Sequence, residues 1–171
     1  ASSTSAKRGN VVIRTVIDPL VCEHVDTDSR RLQQILFNLL SNAVKFSKDG
    51  GVVELSLTMC NTDDCGDEES NELPAGDNKV LRFVVMDHGR GIEKKEFEAI
   101  FHPFTQTSTT SINNTDGGTG LGLAITKKLV EALRGTIAVD SELGKWTKFC
   151  WTLGAWQVVG STKAYVVTVF A

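Results

Sequence analysis

The segment Asn38–Phe46 reads Asn-Leu-Leu-Ser-Asn-Ala-Val-Lys-Phe, and it decides how the rest of the chain is interpreted. It closes a longer stretch, Asp28–Phe46, whose apolar residues recur at steps of three and four, the period of an α-helix. Asp28 is a suitable N-cap for that helix. The apolar residues are Leu32, Ile35, Leu36, Leu39, Ala43 and Phe46.

A strip of polar residues runs along this helix beside its apolar face, given a rotation of about 100° per residue. Amide oxygens suit Mg²⁺ and an ammonium group suits phosphate, so the strip can serve a metal-bound polyphosphate. The alternative is an ordinary solvated helix face. The strip consists of Arg31, Gln34, Asn38, Asn42 and Lys45.

A second patch, Asp87–Gly91, reads Asp-His-Gly-Arg-Gly and follows a run of apolar and β-branched residues that predicts a strand. Its two glycines, spaced by one residue, permit a positive φ and let a flat ring approach the backbone. Asp87, at the strand end, can accept a hydrogen bond from the exocyclic amine of adenine. An ordinary turn that contains Asp explains the same pattern.

A third patch, Gly117–Leu123, reads Gly-Gly-Thr-Gly-Leu-Gly-Leu and leads into a predicted helix, Leu121–Arg134. Glycines before a helix N-terminus expose backbone N–H groups to an anion, which the helix dipole also favours. The pattern is not a P-loop, because Leu123 stands where that motif requires Lys. A flexible turn is the simpler alternative.

In this order, the patches resemble the N box and the two glycine boxes of the catalytic ATP-binding domain of sensor histidine kinases. That domain belongs to the wider ATPase superfamily of DNA gyrase, the mismatch-repair ATPases and a heat-shock chaperone. The resemblance runs from about Val11 to Leu153. Phe101–Phe104 is similar to the F box and Thr147–Phe149 to a third glycine box. Asn38 indicates the kinase branch, because the gyrase-like branch has a general-base Glu there.

The resemblance implies a two-layer α/β sandwich, the Bergerat-type fold, with a mixed and mostly antiparallel sheet and helices on one face. It also implies ATP and Mg²⁺ as cofactors. Asp87 would bind the adenine amine, with Thr147 nearby, and Lys45 would contact phosphate. Asn42 and Asn38 are the expected metal ligands, and Asn38 and Lys45 the expected catalytic residues. The expected nucleotide-binding residues are Asn42, Asp87, Gly89, Gly91, Phe104, Gly118, Gly120, Leu121, Gly122 and Thr147.

The implied function is transfer of the γ-phosphoryl group of ATP to a histidine on a separate dimerisation domain, and onward to a response-regulator receiver domain. The chain's own histidines, His24, His88 and His102, lack the sequence context of a phosphoacceptor. We therefore expect a catalytic domain that works on a histidine elsewhere, in the same chain or another.

Three departures from the family pattern favour the alternative of a nucleotide-responsive pseudokinase that binds without efficient transfer. His88 replaces the usual Thr or Ser, and Trp146 replaces the glycine before Thr147. The segment 107–117 contains no Lys or Arg, although many members of the family carry a basic residue there for the γ-phosphate.

Composition predicts one domain in a cytoplasmic setting. The chain has 171 residues, of which 41% are hydrophobic, and a net charge of −3, which favours neither nucleic acid nor anionic membrane as a partner. No apolar run approaches the roughly 20 residues of a membrane span. The four cysteines show no paired C-x-x-C spacing and are expected to be reduced.

We expect a disordered segment at 1–10, the ATP-binding domain at 11–154 and an extension of unknown role at 155–171. The acidic stretch 61–78 is interpreted as a loop insertion. Besides the two long helices, a short helix is predicted at Lys94–Phe101. The predicted strands are Val11–Ile17, Val52–Met59, Leu81–Met86, Thr136–Asp140 and Thr147–Leu153.

The absence of a cation in 107–117 predicts poor discrimination between ATP and ADP. A missing charge-assisted contact to the γ-phosphate forgoes on the order of 1.5–3 kcal/mol. Titration of both nucleotides at fixed Mg²⁺ should therefore give similar dissociation constants. A preference for ATP of tenfold or more, about 1.4 kcal/mol, would contradict this and point to another cation for the γ-phosphate.

Overall fold

The computed structural model describes residues 4–5, 10–21, 27–61, 79–105 and 119–153. Within these ranges the chain forms two α-helices, two short 3₁₀ helices and six strands. The α-helices are α1 (Ser29–Phe46) and α2 (Gly122–Ala132), and the 3₁₀ helices are Lys94–Glu96 and Ala99–Phe101. The strands are β1 (Thr4–Ser5), β2 (Val12–Ile17), β3 (Val52–Asn61), β4 (Lys79–Asp87), β5 (Ile137–Glu142) and β6 (Trp146–Leu153).

The strands form one sheet in the order β1-β2-β3-β4-β6-β5. Among these described strands, β2 and β3 are parallel and every other neighbouring pair is antiparallel. A parallel pair needs a long crossover connection, and the stretch that contains α1 provides it. The expected mixed, mostly antiparallel sheet is confirmed.

Both α-helices lie on one face of the sheet, which makes the molecule a two-layer sandwich. Helix α1 packs against β3 and β4, α2 packs against β6, and the helices pack on each other. In the core, Phe83 and Trp151 are directly opposite in the β4–β6 register and stack with ring centroids 4.1 Å apart. Residues of α1 that face the sheet are buried: Leu32, Ile35, Leu36, Leu39, Leu40 and Ala43.

Helix α1 begins where the sequence predicts its cap. The Asp28 carboxylate accepts hydrogen bonds from the backbone N–H groups of Arg30 and Arg31, each at 3.1 Å. Such a cap contributes about 1 kcal/mol relative to Ala. The helix ends at Phe46, and the backbone N–H of Ser47 donates to the Ala43 carbonyl.

The predicted single helix at Lys94–Phe101 is wrong. The segment instead forms two 3₁₀ helices of three residues each. The segment is too short for its hydrogen bonds to offset the unfavourable nucleation of an α-helix. Packing adds little, because Ile100 is the one buried residue in these two turns. It also ends at His102, which is extended (ψ 144°), as the residue before a proline tends to be.

The other predicted elements are present, with ends shifted by at most two residues. In the N-terminal segment, expected to be disordered, Thr4–Ser5 pairs with β2. The acidic stretch beyond Asn61 up to residue 78, the segment 106–118 and the extension from residue 154 lie outside the described residues. None of the described helices combines the length and the apolarity that a membrane crossing requires.

Candidate functional site

A cavity of about 230 Å³ lies between the C-terminal half of α1, the end of β4, the beginning of β6 and the start of α2. It brings together residues from all three sequence patches. The predicted residues that line it are Asn42, Lys45, Asp87, Gly91, Gly120, Gly122 and Thr147. Residues that were not predicted to bind the nucleotide also line it: Ala43, Phe46, Arg90, Ile92, Ile100, Thr105, Thr119, Leu123 and Phe149.

Asp87 ends β4 with its carboxylate buried, at 4% exposure. It pairs with Val53 on one side and with Thr147 on the other. Oδ1 of Asp87 accepts a hydrogen bond of 2.9 Å from the backbone N–H of Gly89. Burial raises the pKa of Asp87 to about 6, and the Gly89 bond and the nearby charges of His88 and Arg90 oppose that rise. A buried carboxylate of this kind favours a ligand that donates hydrogen bonds to it.

The glycines after Asp87 allow two close backbone contacts. Gly89 bridges to Ser47, and a Cβ at Gly89 would overlap the carbonyl oxygen of Phe46. Gly91 has a φ of +67°, and a Cβ there would overlap the carbonyl oxygen of Glu142. Gly91 lines the cavity, whereas Gly89 is not among the lining residues.

The last turns of α1 place an amide, a cation and an aromatic ring at the cavity wall, from Asn42, Lys45 and Phe46. The Arg90 guanidinium lies over the Phe46 ring, 3.9 Å from its centroid, and the Lys45 ammonium is 5.2 Å from the same centroid. Burial lowers the pKa of Arg90, while Glu96 and Asp87 oppose that change. Sequence periodicity assigned Phe46 to the core, so its part in the wall was missed.

Asn38 lies outside the residues that line the cavity. Its side-chain nitrogen is 3.4 Å from the Gly122 carbonyl oxygen and 3.3 Å from Oγ1 of Thr126. The Thr126 hydroxyl, fully buried, donates to the same carbonyl at 2.9 Å. Asn38 therefore ties α1 to the first turn of α2, and its role as a metal ligand stays a prediction.

The start of α2 closes another side of the cavity. Gly120, with a φ of +68°, accepts a hydrogen bond of 3.0 Å from the backbone N–H of Phe104. Phe104 itself is 77% exposed and does not line the cavity. Leu121 is the N-cap of α2 and offers no side-chain capping bond. Gly118 lies outside the described residues.

A hydroxyl cluster supports the cavity on the β5–β6 side. Oγ of Ser141 is 2.6 Å from the carbonyl oxygen of Trp146 and 3.2 Å from Oγ1 of Thr147. It also accepts a 2.8 Å hydrogen bond from the backbone N–H of Ile92. The sequence alone did not indicate Ser141, because its partners lie on two other segments.

Two of the three departures from the family pattern lie away from the cavity surface. His88 is exposed, and Trp146 is half-buried but does not line the cavity. The Lys148 ammonium lies 5.8 Å from the centroid of the Trp146 ring. The third departure, in 107–117, falls outside the described residues.

The donor set fits Mg²⁺ only together with a polyphosphate. Among the described residues, no group of three or more His, Cys, Asp or Glu side chains could hold a metal ion. Asn42 lines the cavity, and its side chain carries one amide oxygen that could bind a metal ion. Mg²⁺ commonly binds in proteins through one or two side chains, with substrate phosphates and water completing its shell.

Comparisons with known proteins agree with this geometry. The family model described as histidine kinase-, DNA gyrase B- and HSP90-like ATPase matches residues 27–157. The autoinducer 2 sensor kinase/phosphatase LuxQ of Vibrio vulnificus is 41% identical over 131 residues, 77% of this chain and 14% of the relative. The hybrid signal transduction histidine kinase A of Dictyostelium discoideum is 38% identical over 147 residues, 84% of this chain and 6% of the relative.

A crystal structure of full-length ShkA in complex with AMPPNP matches with a TM-score of 0.62 at 31% identity. The match covers 90% of this chain and 26% of that one. The chain thus spans a small part of the length of these relatives. The chain belongs to the family of histidine kinase-, DNA gyrase B- and HSP90-like ATPases.

Proposed function

We propose that this chain is the ATP-binding catalytic domain of a multidomain, hybrid-type sensor histidine kinase. It transfers the γ-phosphoryl group of ATP to a histidine on a separate phosphoacceptor domain. The observation that carries this proposal is the buried Asp87 carboxylate in one cavity with Asn42 and Lys45. The sensor kinases among the relatives support it.

The adenine end of the cavity is assigned to Asp87 and Thr147. A carboxylate accepts hydrogen bonds from the 6-amino group of adenine, and its burial makes the amine a favourable partner. The apolar side chains of Ile92, Ile100 and Phe149 line the same cavity and suit a flat purine ring.

The phosphate end is assigned to Asn42, Lys45 and the start of α2. Asn42 would hold Mg²⁺, which neutralises phosphate charge when bound, and Lys45 would contact a phosphate oxygen directly. The first backbone N–H groups of α2 have no side-chain cap, and Gly122 and Leu123 line the cavity. A helix N-terminus of this kind attracts anions.

Asn38 supports transfer to a protein rather than to water. An amide cannot act as a general base. Because position 38 carries Asn rather than a carboxylate, no general base at this position activates a water molecule. The side-chain nitrogen of Asn38 faces Gly122 and Thr126 instead. We infer that hydrolysis of ATP is slow and that the γ-phosphoryl group is transferred to a histidine instead.

The proposed partners are a histidine-bearing dimerisation domain and a downstream receiver domain. The name of the Dictyostelium relative includes the word hybrid, which supports the placement of such domains in one long chain. The alternative, a regulatory pseudokinase, rests on the sequence of 107–117, which has no Lys or Arg.

Replacing Asp87 should remove most of the nucleotide's stabilising effect. Asp87→Asn exchanges an acceptor oxygen for a donor, which leaves the adenine amine poorly paired and costs about 1–3 kcal/mol of binding. The thermal shift with ADP and Mg²⁺ should shrink accordingly. Asp140→Asn is the matched control, because that exposed carboxylate pairs with Lys148 on the surface. A wild-type shift in Asp87→Asn would show that adenine binds elsewhere.

The stability of the nucleotide-free domain should fall as pH rises from about 4 to about 6. The pKa of Asp87 is raised from 3.8 to about 6 in the folded state, so the folded chain binds more protons than the unfolded chain in that window. The loss is at most about 3 kcal/mol, from 1.36 kcal/mol per pKa unit. Chemical denaturation at several pH values measures it. Asp87→Asn lacks the titration, and an equal pH dependence in both proteins would contradict the prediction.

The isolated chain should not label itself on histidine, and a separate phosphoacceptor domain should become labelled in its presence. Incubation with γ-labelled ATP and Mg²⁺ tests both expectations through the acid-labile label. Acid-labile label on His24, His88 or His102 of the isolated chain would overturn the first expectation, and an acceptor domain that stays unlabelled would overturn the second.

Lys45→Ala should slow the transfer by about tenfold or more, because a charge-assisted contact is lost. Lys145→Ala, on the β5–β6 turn, is the control. Transfer that is unaffected by Lys45→Ala would overturn the role assigned to Lys45.

A further inference from the structure

The hydroxyl of Ser141, on β5, connects three hydrogen-bonding groups beside the cavity. It lies 2.6 Å from the carbonyl oxygen of Trp146, 2.8 Å from the backbone nitrogen of Ile92 and 3.2 Å from Oγ1 of Thr147. Ser141 and Thr147 are each 5% exposed. The cluster is therefore shielded from bulk water, which would otherwise exchange with these bonds.

The chemistry of these partners determines where each proton points. A carbonyl oxygen can only accept, so the one proton of Ser141 is directed at Trp146. The backbone N–H of Ile92 donates to Oγ of Ser141. The hydroxyl of Thr147 can then bond to Ser141 only as the donor. Thr147 thus directs its single proton away from the cavity and offers only lone pairs to a ligand.

Asp87 adds a second acceptor next to this one. Asp87 and Thr147 are directly opposite in the β4–β6 register, and both line the cavity. Opposite residues of an antiparallel pair have Cβ atoms about 4.5–5.5 Å apart. An ionised carboxylate also only accepts. These two side chains together therefore suit a group with two N–H bonds, such as the 6-amino group of a purine, and disfavour a carbonyl oxygen.

We propose that Ser141 is a positioning residue that sets the polarity of the Thr147 hydroxyl and so makes the pocket select 6-amino over 6-oxo purine nucleotides. The inference rests on the proposed function, because it requires the purine ring to lie at Asp87. Ser141 is not among the residues that line the cavity, so it acts through Thr147. Without the Ser141 hydroxyl, the Thr147 hydroxyl loses its acceptor, and its O–H bond can rotate toward a 6-oxo group.

Ser141 also has a structural effect that the experiment must separate. Its bond to Ile92 and the 2.6 Å bond from the Gly144 N–H to the Arg90 carbonyl hold the loop after Asp87 against the β5–β6 hairpin. Loosening that loop weakens the binding of every nucleotide by the same factor. The ratio of affinities for two nucleotides that differ at the 6-position reports on polarity alone.

Isothermal titration of ADP and inosine diphosphate at fixed Mg²⁺ measures this ratio. The wild type should prefer ADP by about tenfold or more, the effect of leaving a buried polar group unpaired. Ser141→Ala should reduce the preference by about threefold or more, the factor expected of one neutral hydrogen bond. In a Thr147→Val background, Ser141→Ala should leave the ratio unchanged, because no hydroxyl remains to turn.

Thr152→Val is the matched control. The Thr152 hydroxyl bonds to the backbone N–H of Thr136 at 3.0 Å and to Oγ1 of Thr136 at 3.1 Å, at the far end of the same two strands. This variant should lose stability and keep the ratio of the wild type. If it shifts the ratio as much as Ser141→Ala does, hairpin loosening explains the effect and the proposal is wrong.

The remaining outcomes separate this proposal from the proposed function. If Asp87→Asn weakens ADP binding but Ser141→Ala keeps the wild-type ratio, only the role of Ser141 is overturned. If Asp87→Asn leaves ADP binding unchanged, the adenine site itself is misassigned and both proposals fall. Should Ser141→Ala not fold, Thr147→Val tests the premise of the proposal. An unaltered ratio in that variant refutes the acceptor role of Thr147, and the proposal falls with it.

Discussion

The site depends on a carboxylate that is held out of water at the end of an interior strand. Asp87 ends β4, which pairs on both sides, and burial raises its pKa to about 6. Such burial is costly unless hydrogen bonds compensate it. The Gly89 N–H provides one, and a ligand amine would provide another. The cavity's preference for a donor follows from this partial compensation.

The loop after Asp87 is wedged between two other parts of the chain, and glycine makes the fit possible. Gly89 lies against the carbonyl of Phe46 at the end of α1, and Gly91 lies against the carbonyl of Glu142 on β5. A side chain at either position would push these segments apart. The contact at Gly89 joins the second sequence motif to the first, and the contact at Gly91 joins it to β5, so the fold and the site share these constraints.

Two residues of the polar strip on helix α1 have different roles, one in the contact between the helices and one in the cavity. Asn42 reaches the cavity, whereas Asn38 bonds to the first turn of α2. Residues four apart lie on the same helix face but are displaced by about 6 Å along the axis, at 1.5 Å per residue. One turn is therefore enough to give two identical amides different neighbours.

Local patterns in the sequence determined α1, its Asp28 cap, the strands and the order of the motifs, because periodicity and capping depend on residues close in the chain. The same patterns wrongly predicted a single α-helix at 94–101, where too few packing contacts support one. Only the tertiary structure decided that Arg90 lies on the Phe46 ring and that the Ser141 hydroxyl lies within hydrogen-bond distance of Thr147. These arrangements depend on the packing of segments distant in sequence, and no local pattern specifies which side chains meet across such a gap.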